Sequence, residues 1–229
     1  MYSSPPASSL LRLLTGSPGP ARARAPGGYR APPALGQPIG PQKSGRVGYH
    51  ARPDAWPVRL DAYRGIEHSV ENMVRLVQSP RGAFSPKVRF LSEWICKLVT
   101  PKDYLSEVLA IRHFVNARVP YFKDPVNVEW MRDPEAMVDE ITLSPEGILR
   151  ADCDEVNMLI CSLWLASGHQ AEFVTVGFQK PPAPKSHVFA RCAIPKSQPP
   201  QWIVCDPVAG TREAFMLPRI VQMDTVPLG

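Results

Sequence analysis

From residue 66 onward the apolar positions fall into runs of two periods, first near 3.6 residues and later near 2. Ile66, Val70, Met73, Val74 and Val77 recur at helical spacing, and Ser79-Pro80 ends the run. A second stripe of Val88, Leu91, Ile95, Leu98 and Val99 starts after Ser85-Pro86 and stops before Pro101. Asp103 reads as the N-cap of a third helix, with Tyr104, Val108, Ile111, Phe114 and Val115 on one face. The short connections imply a compact helical lobe. Val119-Pro120-Tyr121-Phe122 reads as an extended exit, and Asp124-Pro125 as a turn. Asp133-Pro134 opens a short helix over 135–141, and Pro145-Glu146-Gly147 marks a loop.

Residues 152–168 form the best-defined element. Asp152 is an N-cap candidate, and Glu155 three residues later completes a D-x-x-E variant of the capping box. Val156, Leu159, Ile160, Leu163 and Trp164 make the buried stripe, and Gly168 suits the position just past the helix. Three strand-like runs follow at 171–178, 187–194 and 201–205, separated by loops at 179–186 and 195–200. A long apolar helix leading into an antiparallel sheet is an α+β pattern.

Composition separates the first 57 residues from the rest. They hold 11 prolines and 8 glycines, with no acidic residue before Asp54. Such a segment buries too little apolar surface to offset its chain entropy, so an extended arm is expected over 1–57 and a folded domain over 58–229. That domain divides into a helical part, 58–147, and a chemical core, 148–210. Arg12, Arg22, Arg24, Arg30, Lys43, Arg46 and Arg52 also lie in the arm. The basic pI near 9.0 therefore belongs to the arm, and the folded part is slightly acidic. Seven dispersed basic residues make nucleic-acid binding the weakest reading. The arm's prolines would also break the amphipathic helix of an organellar transit peptide. No apolar run approaches 18 residues, so no membrane span is expected.

The candidate chemistry centres on Cys153, first residue of the capped helix. A thiol there meets unpaired backbone N–H groups and the positive end of the helix dipole, which favour the nucleophilic thiolate. Asp152 and Asp154 oppose this, so an imidazolium partner is needed. His187 opens one strand and Asp206 closes the next. If the loop 195–200 joins a hairpin, pairing Ile194 with Gln201 sets Asp206 opposite Phe189, one same-face step from His187. Pairing Cys192 with Gln201 sets the two directly opposite. Either register keeps both side chains on one face. Taken singly, each residue has a structural explanation: a helix-start Cys, a strand-edge His, an Asp-Pro turn. Cys161, Cys192 and Cys205 fit the core. Five cysteines without CxxC spacing indicate neither disulfides nor zinc, and His50, His68, His113 and His169 lack ligand spacing. No cofactor or metal is expected.

The joint pattern is more specific than its parts. Asp152-Cys153-Asp154-Glu155 opens a helix ending in Ala-Ser-Gly-His (166–169), followed by Phe173-Val-Thr-Val-Gly, His187-Val-Phe-Ala and Trp202-Ile-Val-Cys-Asp206-Pro207. Over residues 65–210 this resembles the transglutaminase-like (papain-like) superfamily of cysteine acyltransferases and proteases. Tyr121-Phe-Lys-Asp-Pro-Val and Asp133-Pro-Glu-Ala-Met look like the variety found in tailed bacteriophages and prophages. The resemblance implies a helical lobe whose catalytic helix packs on an antiparallel sheet. It implies Cys153 as nucleophile, His187 as general base and acid, Asp206 as orienter, and a protein or peptide substrate. It also implies a protein made in the host cytoplasm and carried in a virion. A virion structural protein that keeps this fold and binds neighbouring subunits through residues 1–57 is the alternative. Ala151 departs from the Gly found in many relatives.

Overall fold

A helix leaves its first N–H groups without intrahelical partners, and four helices here begin on a short side chain that accepts from them. These come from a computed structural model that describes residues 56–58, 65–122, 129–194, 201–207 and 220–228. Ser85 accepts from the Lys87 N–H, Asp103 from Ser106, Asp133 from Ala136, and Asp152 from both Asp154 and Glu155. The helices are α1 (Gly65–Val77), α2 (Pro86–Cys96), α3 (Tyr104–Arg118), α4 (Pro134–Leu143) and α5 (Cys153–Ala166). Residues 1–55 of the expected arm lie outside the described residues. The strand β1 (Trp56–Val58) spans the expected boundary and pairs antiparallel with β2 (Glu129–Met131).

The main sheet has four antiparallel strands: β3 (Gln170–Gly177), β4 (His187–Ile194), β5 (Gln201–Cys205) and β6 (Gln222–Pro227), in the order β5-β4-β3-β6. The described chain is thus α+β, with five helices and this sheet. β6 lies beyond residue 210, where the chemical core was expected to end. Its sequence, Gln-Met-Asp-Thr-Val-Pro, sits on an exposed edge and so carries no apolar run to betray it.

α5 is the centre of the molecule. Every side chain from Asp154 to Trp164 is buried, so the expected one-sided stripe is an all-round burial. Helices α1 to α4 pack on it from one side, and β3 and β4 from the other. The main core joins Met73, Leu91, Ile111, Phe114 and Met137 to the sheet face bearing Phe173, Val188, Ala190, Cys192 and Cys205. A second cluster of Val174, Val176 and Phe189 occupies the opposite sheet face. Gly168, at φ +85°, ends α5: the His169 N–H reaches the Trp164 carbonyl and the Gly168 N–H that of Leu165.

The start of α5 is held by one arginine. The Arg132 side chain is 1% exposed and lies against Glu155, which is 0% exposed. Nε donates to Glu155 Oε1 at 2.6 Å and Nη2 to Oε2 at 2.7 Å. The same guanidinium reaches Glu140 of α4 and, at 2.8 Å, the Arg150 carbonyl. Glu155, the acid of the expected capping box, is thus the partner of Arg132. A buried bidentate pair strongly resists loss of one member, because the survivor is left charged without water. At the other end of α5, His169 is buried beside Glu107 of α3, with Nε2 3.3 Å from Oε2, and its ring packs edge-on against Tyr104. Burial pushes its pKa below the usual value, and Glu107 opposes this.

Two outcomes follow for urea denaturation. Arg132→Met is expected to cost about 3–5 kcal/mol, whereas Arg132→Met with Glu155→Leu regains most of the loss because no charge is stranded. The depressed His169 pKa means that the unfolded chain binds this proton more readily. Stability is therefore full above the ordinary histidine pKa and falls as the pH drops below it. His169→Phe should flatten the decline of the urea midpoint between about pH 7 and 5.

Candidate active site

The register between β4 and β5 pairs Ile194 with Gln201 and Ala190 with Cys205. This is the first of the two registers considered from the sequence, and its continuation sets Asp206 opposite Phe189. His187 and Asp206 thus sit one same-face step apart, and their side chains meet. His187 Nε2 lies 2.9 Å from Asp206 Oδ2, with the carboxylate side chain fully buried and the imidazole 11% exposed. A carboxylate accepts only, so Nε2 carries the proton and Nδ1 keeps its lone pair when the ring is neutral.

Cys153 is the first residue of α5. Two contacts fix the direction of that helix along β4. The Asn157 side chain donates to the Val188 carbonyl at 3.0 Å, and one turn later Cys161 shares the core cluster of Cys192 and Cys205. Stepping from residue 157 to 161 on the helix thus follows 188 to 192 on the strand. One turn in the other direction leads to Cys153, at the end of β4 that begins with His187. The corner is therefore where α5 starts, β4 starts and β5 ends.

The thiol is half-buried, and Cys153 Sγ donates to Asp154 Oδ1 at 3.2 Å. The three acids around it are all engaged: Asp152 caps the helix, Asp154 receives the thiol, and Glu155 is neutralised by Arg132. The approach to Cys153 is a backbone pairing. Tyr121 bridges Ala151 in parallel, and the Phe122 N–H donates to the Ala151 carbonyl at 2.7 Å. The approach to His187 is pinned by β6. Gln222 Nε2 donates to the carbonyls of Gln179 and Ala183, and Lys185 pairs with Asp224 and with Glu67 of α1.

The other thiols differ in kind. Burial raises Cys192 and Cys205 to about 12, and raises Cys161 well above the ordinary thiol range. Burial also raises Cys96, against a hydrogen bond from Ser167 that lowers it. These four stay protonated at neutral pH. Sequence reading did not single out Asn157 or Arg132. Asn157 left one trace, an amide inside an apolar helix four residues after Cys153; Arg132 left none beyond its charge. Among the described residues no group of three or more His, Cys, Asp or Glu side chains is arranged to hold a metal. Likewise, no described helix is long and apolar enough to cross a membrane.

Fold and corner together define an α+β protein whose helix-borne cysteine stands at the same end of the sheet as a buried His–Asp pair. No protein-family model and no curated protein matches the chain. Among solved structures it is similar to the "Putative Cysteine Protease from Cytophaga hutchinsonii", at 17% identity and a TM-score of 0.38. The match covers 69% of this chain and 56% of that one, so the chain spans little more than half that protein's length.

Thiol state and burial predict an order of labelling. With iodoacetamide at neutral pH and peptide mapping by mass spectrometry, Cys153 should be modified first and Cys96 more slowly. Cys161, Cys192 and Cys205 should react only on unfolding. Early modification of Cys192 or Cys205 would contradict the packing described.

Proposed function

We propose that this chain is a transglutaminase-like cysteine acyl-transfer enzyme, with Cys153 as nucleophile, His187 as base and acid, and Asp206 as orienter. The observation that carries the reading is the buried His187–Asp206 bond through Nε2. It leaves Nδ1 to serve a thiol at the corner where the helix headed by Cys153 begins.

Asp206 holds the imidazole and stabilises its charged form. His187 is the first residue of β4, and in this reading it meets the thiol at that end of the strand. Nδ1 takes the Cys153 proton, and the thiolate–imidazolium pair offsets the acids beside it. The sulfur attacks the carbonyl carbon of a peptide or carboxamide, and the carbonyl π pair moves to oxygen. The Cys153 N–H, at the helix start, is a donor suited to that oxyanion. As the tetrahedral intermediate collapses, the C–N bond breaks and His187 passes its proton to the leaving amine. A second nucleophile, water or another amine, gives its proton to His187, attacks the thioester and releases the thiolate. Water makes the chain a peptidase or amidase, and an amine makes it a cross-linker.

The test is the pH dependence of Cys153 alkylation in the wild type and in His187→Ala. A working pair gives reaction well below the free-cysteine pKa of ~8.5, and the variant loses that low-pH reactivity. Ordinary thiol titration in both proteins would sink the assignment.

A further inference from the structure

Asn157 is fully buried, yet only one end of its carboxamide is used. Nδ2 donates to the Val188 carbonyl, while Oδ1 is buried without a hydrogen-bond partner among the described residues. Leaving a buried acceptor unmade costs stability, and an apolar side chain of similar volume would avoid that cost. The amide's orientation is not in question, because a carbonyl only accepts and Nδ2 must face it. The bond therefore serves something other than filling the core.

The sheet supplies the reason for its location. Carrying the β4–β5 register two residues past Ala190–Cys205 sets Pro207 opposite Val188. Proline has no N–H, so the ladder cannot continue there. The Val188 carbonyl is left for another donor, and the central helix provides it. The residue before Pro207 is Asp206, the residue before Val188 is His187, and one turn before Asn157 on the same helix face is Cys153. A single side-chain bond thus ties the nucleophile's helix to the base's strand beside the point where the orienter's strand ends.

Resting on the acyl-transfer reading above, we propose that Asn157 is a positioning residue. It fixes α5 against β4 so that Cys153 and His187 stay in register. The apolar residues of both elements share one core cluster, and apolar packing resists separation but does little to stop sliding. A strand step is about 3.3 Å, and a misplacement of about 1 Å at a reacting centre costs about 10²-fold in rate. Pro207 and Asn157 work as a pair: one frees the carbonyl and the other captures it for the helix.

The test uses the 229-residue chain and four proteins: wild type, Asn157→Leu, Pro207→Ala, and the two changes combined. Each is measured twice, by urea midpoint and by the pH profile of Cys153 alkylation with iodoacetamide. His187→Ala serves as the reference for loss of the pair. Asn157→Leu should remain folded and lose about tenfold or more of the alkylation rate at pH 6, moving toward His187→Ala. Pro207→Ala restores a backbone N–H opposite Val188. Added to Asn157→Leu, it should restore the urea midpoint but not the low-pH reactivity.

Recovery of both would overturn the proposal, since Asn157 would then only satisfy a carbonyl. Wild-type reactivity in Asn157→Leu would overturn it as well. If Asn157→Leu does not fold, Asn157→Ser replaces it, keeping a polar group too short to reach Val188, and the same two outcomes decide. A wild-type profile identical to that of His187→Ala would refute the acyl-transfer reading itself. It differs from failure of the positioning role alone, in which the wild type keeps its low-pH reactivity.

Discussion

The structure depends most on the pairing of Arg132 with Glu155 inside the protein. α5 is buried on all sides, so its first turn cannot rely on water to satisfy its charges or its free N–H groups. Asp152 satisfies two of those N–H groups, and the Arg132 guanidinium offsets the charge of Glu155, a carboxylate buried in the core. Arg132 follows directly on β2, contacts Glu140 of α4 and holds the Arg150 carbonyl. One cation therefore joins the small ribbon, the helical layer, the approach loop and the central helix. The position of Cys153 follows from it.

The other half of the corner belongs to the sheet. The register of β4 on β5 sets His187 within reach of Asp206, and the proline after Asp206 stops the ladder where the helix takes over. β6 adds support from the far edge, because Gln222 and Asp224 hold the loop that delivers His187. His187 is fixed by strand pairing, Asp206 by the neighbouring strand end, and Cys153 by a capped helix. Residues so placed belong to rigid elements, which suits a site that must hold geometry to fractions of an ångström.

Much of the fold was legible because its signals are local. Ser85, Asp103, Asp133 and Asp152 announce helix starts by competing for backbone N–H groups, and all four do so here. The strands His187–Ile194 and Gln201–Cys205 were read with their observed limits, since each is an apolar run bounded by turn residues. β1 and β2 were missed because three residues are too few to show a period. β6 was missed because an exposed edge strand needs no apolar face.

For the site, the sequence by itself determined which residues could carry chemistry and narrowed the hairpin to two registers. It placed a cysteine at a capped helix start and an Asp-Pro at a strand end, features written in neighbouring residues. Only the tertiary structure decided between the registers, brought His187 Nε2 to Asp206, and gave Glu155 its partner Arg132. It also gave Asn157 its partner across 31 residues of chain. The physical reason is the same in each case. A cap or a strand boundary is set by residues a few positions apart, whereas a buried amide or carboxylate takes whichever distant donor or acceptor the packed core brings to it.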